Sequence, residues 1–366
     1  PLTHLPPAFA AWEDLASQIP ALLAAGRLRQ SVDQLPLVDA TPLATAAERE
    51  RAMLLLAYLG HAFVFGEAPV ATRIPAPIAI PWHHVAAQLG RPPVLSYASH
   101  ILNNWRRFDH DQPITLANLA RLEHFLGGMD EDWFGMIHIA IEAQAGPGIA
   151  ALVAAQDAVA QADVTASIAA LTQVADVIGA MLVVFARITE RCDPAIYALR
   201  IRPFLSGWQD NPLLPAGVRY TGVTAFADQP QFFRGGSGAQ SAIIPALDEG
   251  LGVAFDDNPF GKYMHSLRVY MPPRHRAFIA ALRARPSIRT FTQDHRHHER
   301  PLVAAYNRCL VELARFRREH LRFTAQYLHS ARQAEGAAPI EVGTGGTPFM
   351  AYLKQHVGEV TEHLIP

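Results

Sequence analysis

The sequence predicts an all-α protein, and three observations carry that expectation. Apolar residues recur at helical spacing along most of the chain, alternating runs of β-branched residues are almost absent, and 50% of the 366 residues are hydrophobic, enough for a sizeable core. Residues 47 to 64 (AERERAMLLLAYLGHAFV) read as a strong helix. Thr115 is placed to cap a helix through Leu116, Leu119 and Leu122 that stops at Gly127-Gly128. Asp130 or Asp132 opens the next, through Trp133, Phe134, His138 and Ile141 to a break at Gly146-Pro147-Gly148. From Thr165 a long helix carries the stripe Ile168, Leu171, Val174, Ile178, Met181, Leu182 and Phe185. Pro301 stands at the start of another, reaching about Ser330, with Leu302, Tyr306, Cys309, Leu313, Phe316, His320, Phe323 and Tyr327 on one face.

Punctuation divides the chain. A Pro-rich stretch at 69–93, an irregular region from Pro203 to Ser237 and a third break at Gly336 to Thr347 separate the helical blocks. A small N-terminal helical domain, residues 1–125, followed by a larger helical-bundle domain, residues 126–366, fits ordinary domain sizes. The formal net charge of -2 removes the electrostatic footprint of a nucleic-acid binder or a basic membrane-surface protein. Cys192 and Cys309 lie far apart, which argues against a disulfide framework, a zinc ribbon or an iron–sulfur cluster and suits a reducing compartment. The N-terminus has no basic start followed by an apolar run, and Gln173 and Asp176 interrupt the most apolar stretch, so neither a signal peptide nor a membrane span is expected and the cytoplasm is the default location.

Histidine is abundant, with 17 residues, and His320 is the most informative of them. It replaces an apolar residue in the series 316, 320, 323, 327, so its ring is expected to point into the core, where each nitrogen needs a partner. Such a residue is either a core histidine bonded to a backbone carbonyl or an axial ligand to haem iron. Arg317, one turn earlier, is correspondingly a solvated arginine or the partner of a haem propionate. His138 poses the same alternatives on another helix, four residues from Phe134. In GGSGAQS (Gly235 to Ser241), Ser237 is placed to cap the helical run AIIPALDEGLG and present amides to an anion. GTGGT (Gly343 to Thr347) lacks the ending of a phosphate-binding loop and reads as a linker or as a lid over a polar ligand. RIRPFLSGW (Arg200 to Trp208) offers arginines for a carboxylate or a structural salt bridge, and DHRHHER (Asp294 to Arg300) reads as a solvated connection rather than a metal site.

Six segments in order, LGRPPVLSYASHILNNWR (89–106), RPFLSGW (202–208), GGSGAQS (235–241), YMPPRHRAF (270–278), FRREHL (316–321) and GTGGT (343–347), resemble the indoleamine 2,3-dioxygenase family. The resemblance implies a haem b (iron protoporphyrin IX) enzyme that inserts both atoms of O2 across the indole C2–C3 bond of L-tryptophan or a related indole, giving N-formylkynurenine. It makes His320 the proximal iron ligand, Arg317 a propionate contact and Asp248 an acid supporting haem binding, all in the large domain. Arg202 takes the place that holds the substrate carboxylate, and Ser237 with Gly236 lines the pocket. Thr344 and Gly345 belong to the closing loop. Tyr97 and Phe134 flank the indole, with the small domain contributing to the distal side. No protein base able to deprotonate the indole nitrogen is required. A monomer and an electron donor that keeps the haem ferrous are further expectations.

Three positions depart from the family pattern. His138 stands where the animal enzymes carry serine, Tyr197 replaces a phenylalanine, and His100 replaces a small or sulfur-bearing pocket residue. A more polar distal side favours L-tryptophan through hydrogen bonding, admits a modified indole, or binds water. The reaction class is less sensitive to these changes than the substrate. An O2-binding haem protein without oxygenase activity is the alternative of a different class, and Arg202 and GTGGT count against it, because oxygen storage needs neither a carboxylate clamp nor a lid. A cofactor-free helical scaffold is the third.

Overall fold

The computed structural model describes residues 1–253, 259–333, 358 and 360–366. The all-α expectation holds: helices dominate, and the described strands are two-residue pairs. Three short helices, α1 (Ala10–Ser17), α2 (Ile19–Ala24) and α3 (Leu28–Asp33), pack around α4 (Ala46–Phe65). The start of α4 is set by a capping box in which Thr45 accepts from the Glu48 amide while Glu48 accepts in return. From Arg51 to Val64 every residue of α4 is buried, so this helix is enclosed on all sides rather than amphipathic. Strand β1 (Arg73–Ile74) pairs in parallel with β4 (Arg219–Tyr220).

Helix α5 (Ala76–Leu89) occupies the middle of the Pro-rich stretch expected to be a separator. Pro75 is its N-cap and a proline fills its first turn, where no amide is missed. It packs so closely on α4 that a Cβ on Gly60 would lie 2.3 Å from the Trp82 ring. The helix expected from Thr115 to Gly127 does not form. Leu116–Asn118 is a single tight turn, and Leu119–Ala120 (β3) pairs antiparallel with Arg106–Arg107 (β2). Leu119, Arg121, Glu123 and Phe125 are buried in alternation, a period of two rather than 3.6. The Asn118 side chain binds backbone at Asp109, Gln112 and Pro113, which holds the chain out of a helix.

Helix α6 (Met129–Ala160) begins where Glu131, rather than Asp130 or Asp132, accepts from the amides of Phe125, Leu126 and Gly127. It continues through Gly146-Pro147-Gly148, where a stop was expected. Gly148 faces Val177 on α7 (Val164–Ala186) so tightly that a Cβ there would lie 2.6 Å from a Val177 methyl. Lengthwise packing against α7 overrides the local cost of proline. The buried residues of α7 include Leu171, Val174, Ile178, Met181, Leu182 and Phe185, as the stripe predicted. The helix starts at Val164, one residue ahead of the expected Thr165, with Asp163 as its cap.

The chain then runs through a helical turn α8 (Pro194–Ile196), a π-helical turn Tyr197–Ile201 and α9 (Arg202–Leu205) into the irregular region. Helices α10 (Ile243–Leu251), α11 (Pro259–Leu267), α12 (Pro273–Ala284) and α13 (Ile288–Asp294) lead to α14 (Arg300–Gln333), whose bounds match the long helix expected from Pro301. Both α6 and the span from Val164 to Glu190 are long and apolar enough to cross a membrane, but they pack on each other, and α7 on α14, as the centre of the second core.

Two hydrophobic cores result. One gathers residues Leu5 to Leu95 with Phe125, and draws in Phe204 to Val223, Leu267 and Tyr270. The other is built on α6, α7, α10 and α14. A smaller cluster, Tyr97, Ile101, Leu119, Ile139 and Ala140, lies between the π-helical turn Ala98–Leu102 and α6.

Candidate functional site

Backbone packing brings two of the sequence segments together before any side chain is considered. Gly207 of the Arg200–Trp208 segment and Gly235 of the glycine-rich loop face each other so closely that a Cβ on Gly207 would lie 2.2 Å from the Gly235 nitrogen, and one on Gly235 2.1 Å from the Leu205 oxygen. Only glycine permits that approach. Gln240 then pins the loop to the π-helical turn: its Oε1 accepts from the Tyr97 amide at 2.9 Å and its Nε2 donates to the Gly235 oxygen at 2.8 Å. Ser237 caps the turn Gly238–Gln240 and not α10 as expected. Ser241 Oγ accepts from the Ile243 amide at the start of that helix.

His61, in the middle of α4, ties the Arg200–Trp208 segment to the chain just before the π-helical turn Ala98–Leu102. Its Nδ1 donates to the Phe204 carbonyl at 2.8 Å, two residues beyond Arg202, and its Nε2 accepts from the Leu95 amide at 2.9 Å, two residues before Tyr97. Both nitrogens are satisfied by the neutral ring, and burial pushes its pKa down to about 3.

An aromatic group forms where these segments meet α6. Phe134 stacks on Tyr197 at 4.4 Å and lies 4.4 Å from the His138 ring; Tyr97 meets His138 edge-on at 6.3 Å, and His100 lies 6.4 Å from Phe134. Tyr197 in turn meets Tyr327 of α14 at 5.6 Å. Arg202 lies near enough to Tyr197 for its charge to act on the phenol, and burial lowers the guanidinium's own pKa. The structure therefore gathers Tyr97, His100, Phe134, His138, Tyr197 and Arg202.

The hydrogen bonds of this wall decide the roles of its nitrogens. His138 Nδ1 lies 2.7 Å from the Phe134 carbonyl, which can only accept, so Nδ1 carries the proton and Nε2 is an acceptor. Burial holds His138 below its ordinary pKa and hence neutral at pH 7. One turn further along α6, Glu142 accepts from Ser241 Oγ at 2.6 Å and from the Tyr97 hydroxyl. Burial lifts the Glu142 carboxyl above its usual range although both hydroxyls favour its charged form.

His320 stands on α14, and the structure corrects the expectation that its ring is buried: it is exposed. The reason is local. Helix α7 ends at Ala186, so at this height its last ring, Phe185, is what α14 meets; it lies 5.9 Å from His320 and also contacts Phe316 and Phe323. Arg317 and Asp248 form a buried ion pair with each other, with 4% and 2% of their side chains exposed, so Arg317 is not a solvated residue at the stripe's edge. Gly236 is buried in the loop wall, whereas Thr344 and Gly345 lie outside the described residues.

Sequence reasoning missed His61, Tyr58, Asn104, Arg121, Glu142, Gln240 and Ser241. One signal was available: Tyr58 and His61 are polar residues three apart in a run of α4 that is otherwise almost wholly apolar. For the others, partners come from distant segments and no spacing announces them.

Among the described residues no group of three or more His, Cys, Asp or Glu is arranged to hold a metal ion. The His320 imidazole beside Phe185, with no cluster of further metal-ligating side chains among the described residues, suits a metal that arrives with its own equatorial ligands, as haem iron does, better than a zinc or calcium site. The donor set at His320 thus fits haem.

The family profile described as indoleamine 2,3-dioxygenase matches residues 1–363. Indoleamine 2,3-dioxygenase 2 of Homo sapiens is 34% identical, with 100% of this chain and 91% of that protein covered. Indoleamine 2,3-dioxygenase 1 of Mus musculus is 34% identical over 99% of this chain and 91% of its own length. A 6-hydroxytryptophan 2,3-dioxygenase of Fusarium equiseti is 33% identical, covering 100% and 93%.

Proposed function

From the premise that this chain belongs to the indoleamine 2,3-dioxygenase family, we propose that it is a haem-dependent dioxygenase that cleaves the indole C2–C3 bond of L-tryptophan or a related indole. L-tryptophan and O2 combine to N-formylkynurenine with both oxygen atoms retained and no net gain or loss of electrons or protons. The observation that carries the reading is the aromatic cluster of Tyr97, Phe134, His138 and Tyr197 with the buried Arg202 guanidinium near Tyr197.

His320 would hold haem b, which would supply O2 activation when bound. The protein's own residues do the rest. Phe134 and Tyr197 offer ring faces for the indole, Arg202 forms a bidentate pair with the amino-acid carboxylate, and the buried wall excludes water. His138 Nε2 accepts from the indole N–H without removing the proton, because the neutral ring is a weak base in this surrounding. The buried Arg317–Asp248 pair sets the backbone one turn before His320, and Arg317 is the residue we assign to a propionate. Thr344 and Gly345 are assigned to closing the site over the substrate.

Two domains, 1–125 and 126–366, are part of the same reading. The separate hydrophobic cores support them, with Phe204–Val223 crossing to the first. A monomeric state, a cytoplasmic location and a separate electron donor complete the proposal.

The test is turnover by the haem-loaded, reduced enzyme under O2, with formylkynurenine appearing from an indole amino acid. No such product from any indole tried, at full haem occupancy, overturns the reading. Arg202→Ala is expected to raise KM for L-tryptophan by about 10–100-fold, the loss of one charge-assisted pair, and to change KM for indole itself hardly at all. An equal rise for both would show that Arg202 does not hold the carboxylate.

A further inference from the structure

One buried proton in the wall has no use in the chemistry described above. His100 is 4% exposed, and its Nδ1 faces the Tyr58 hydroxyl at 2.8 Å and an Arg121 nitrogen at 3.3 Å. Tyr58 Oη already accepts from Arg121 Nη2 and from Asn104 Nδ2, so its own hydrogen is the one directed at His100. The Asn104 amide is fixed in that orientation, because its Oδ1 accepts from the amides of Leu122 at 3.1 Å and Glu123 at 2.7 Å. Arg121 has no acceptor to offer. Every group facing Nδ1 is therefore a donor, and a neutral imidazole that accepts at Nδ1 carries its hydrogen on Nε2. Burial first, and the charge of Arg121 next, hold His100 well below its ordinary pKa and keep it neutral.

That Nε2–H is shielded from solvent and has no hydrogen-bond partner among the described residues. A buried donor with nothing to donate to is rare in folded proteins and calls for a ligand or a bound water. Its direction follows from the ring: the Nδ1 edge is turned to Tyr58, which stacks on Phe125 of the first core, and the remaining edge is turned away from it. Phe134 of the aromatic cluster is the ring neighbour of His100 on α6, at 6.4 Å.

We infer that His100 is a specificity-determining residue whose Nε2–H donates to an oxygen substituent on the six-membered ring of the substrate indole, so that a ring-hydroxylated tryptophan is preferred to tryptophan itself. The inference rests on the dioxygenase reading above and names its substrate class. The two histidines then have complementary fixed roles: His138 accepts from the pyrrole N–H and His100 donates to the ring oxygen. With an unsubstituted indole the His100 donor stays unsatisfied, which is the arrangement by which a site rejects an analogue lacking one hydroxyl.

The experiment measures kcat/KM for L-tryptophan and for its 5-, 6- and 7-hydroxy derivatives with the haem-loaded enzyme, His100→Leu and His100→Gln. The quantity read is the ratio of hydroxylated to unsubstituted substrate within one preparation, which cancels haem content and folded fraction. The wild type is expected to prefer one hydroxy isomer by about tenfold or more. His100→Leu brings that ratio close to one, and His100→Gln, which keeps an N–H, retains part of it. A wild-type ratio near one for all three isomers overturns the inference, as does a preference that survives in His100→Leu; both mean that Nε2–H meets only water. Either result leaves tryptophan turnover, and with it the dioxygenase reading, standing. Failure of the wild type on every indole would sink that reading instead.

Discussion

The two histidine-bearing regions assigned to the substrate and to the haem are built to opposite plans. On the wall formed by α6 and the π-helical turn, the protein holds Nδ1 of each imidazole: His138 Nδ1 binds the Phe134 carbonyl and His100 Nδ1 accepts from Tyr58. The fold thereby decides which of the remaining nitrogens donates and which accepts. On α14, His320 is exposed beside Phe185, while Arg317, one turn earlier on the same helix, is buried in an ion pair with Asp248 of α10. The difference teaches where preorganisation is applied. In the proposed function, hydrogen bonds are concentrated where the substrate's polar edges would be read, and the exposed imidazole is the one assigned to the iron.

The largest expected effect breaks that division directly. His320→Ala abolishes stable haem binding, seen as loss of the Soret band, whereas His138→Ala leaves the haem in place and impairs turnover. Equal loss of haem in both variants would mean that the two walls are not functionally distinct and that the proximal assignment is wrong.

Next comes the ion pair beneath α14. Asp248→Ala strands the Arg317 charge in the interior and is expected to lower the unfolding free energy by about 3–5 kcal/mol, measured by urea denaturation of the purified protein. The doubly apolar variant Asp248→Leu with Arg317→Met recovers most of that loss in stability, because two desolvated charges and an apolar pair are nearly equivalent energetically. A cost below about 1 kcal/mol, the range of surface pairs, would place this pair in solvent and remove the contrast between a buried support and an exposed ligand.

What was legible in the sequence follows the same division. The long amphipathic helices α7 and α14 were readable because a buried stripe repeats every 3.6 residues and nothing in it depends on a distant partner. The extended stretch Leu119–Phe125 was misread as helical because its apolar residues happen to fall three apart, while two of its inward positions are the charged Arg121 and Glu123, which only the structure of α4 makes intelligible. The Gly146-Pro147-Gly148 segment misled for a related reason: its glycine answers to Val177 on the neighbouring helix and not to a turn. The family resemblance put forward His100, His138, Phe134, Tyr97 and Tyr197 as site candidates, and the structure groups them, but the donor and acceptor states of the two histidines were not legible. Those roles depend on Tyr58 and Asn104 in one case and on a backbone carbonyl in the other.

The smallest of the expected effects concerns acid, and it sharpens the comparison by asking whether the hydrogen-bonded wall is the acid-labile one. His61 braces that wall through Phe204 and Leu95, and its folded pKa of about 3 lies below the 6.5 of an unperturbed histidine. Below pH 6.5 the unfolded chain takes up a proton that the folded ring refuses. Its contribution is therefore complete above pH 6.5 and is lost progressively as the pH falls toward 3. A single proton difference gives a slope of about 1.4 kcal/mol per pH unit within that window, and we expect roughly 2–3 kcal/mol to be lost from this residue between pH 7 and pH 4.5. In His61→Gln, whose amide can still donate to Phe204 and accept from Leu95 but does not titrate, the dependence of unfolding free energy on pH should be shallower by that amount. Parallel curves for the two proteins would show that the folded ring takes up a proton as readily as the unfolded one, which costs the bond from the Leu95 amide, and the brace would then be looser than its geometry indicates.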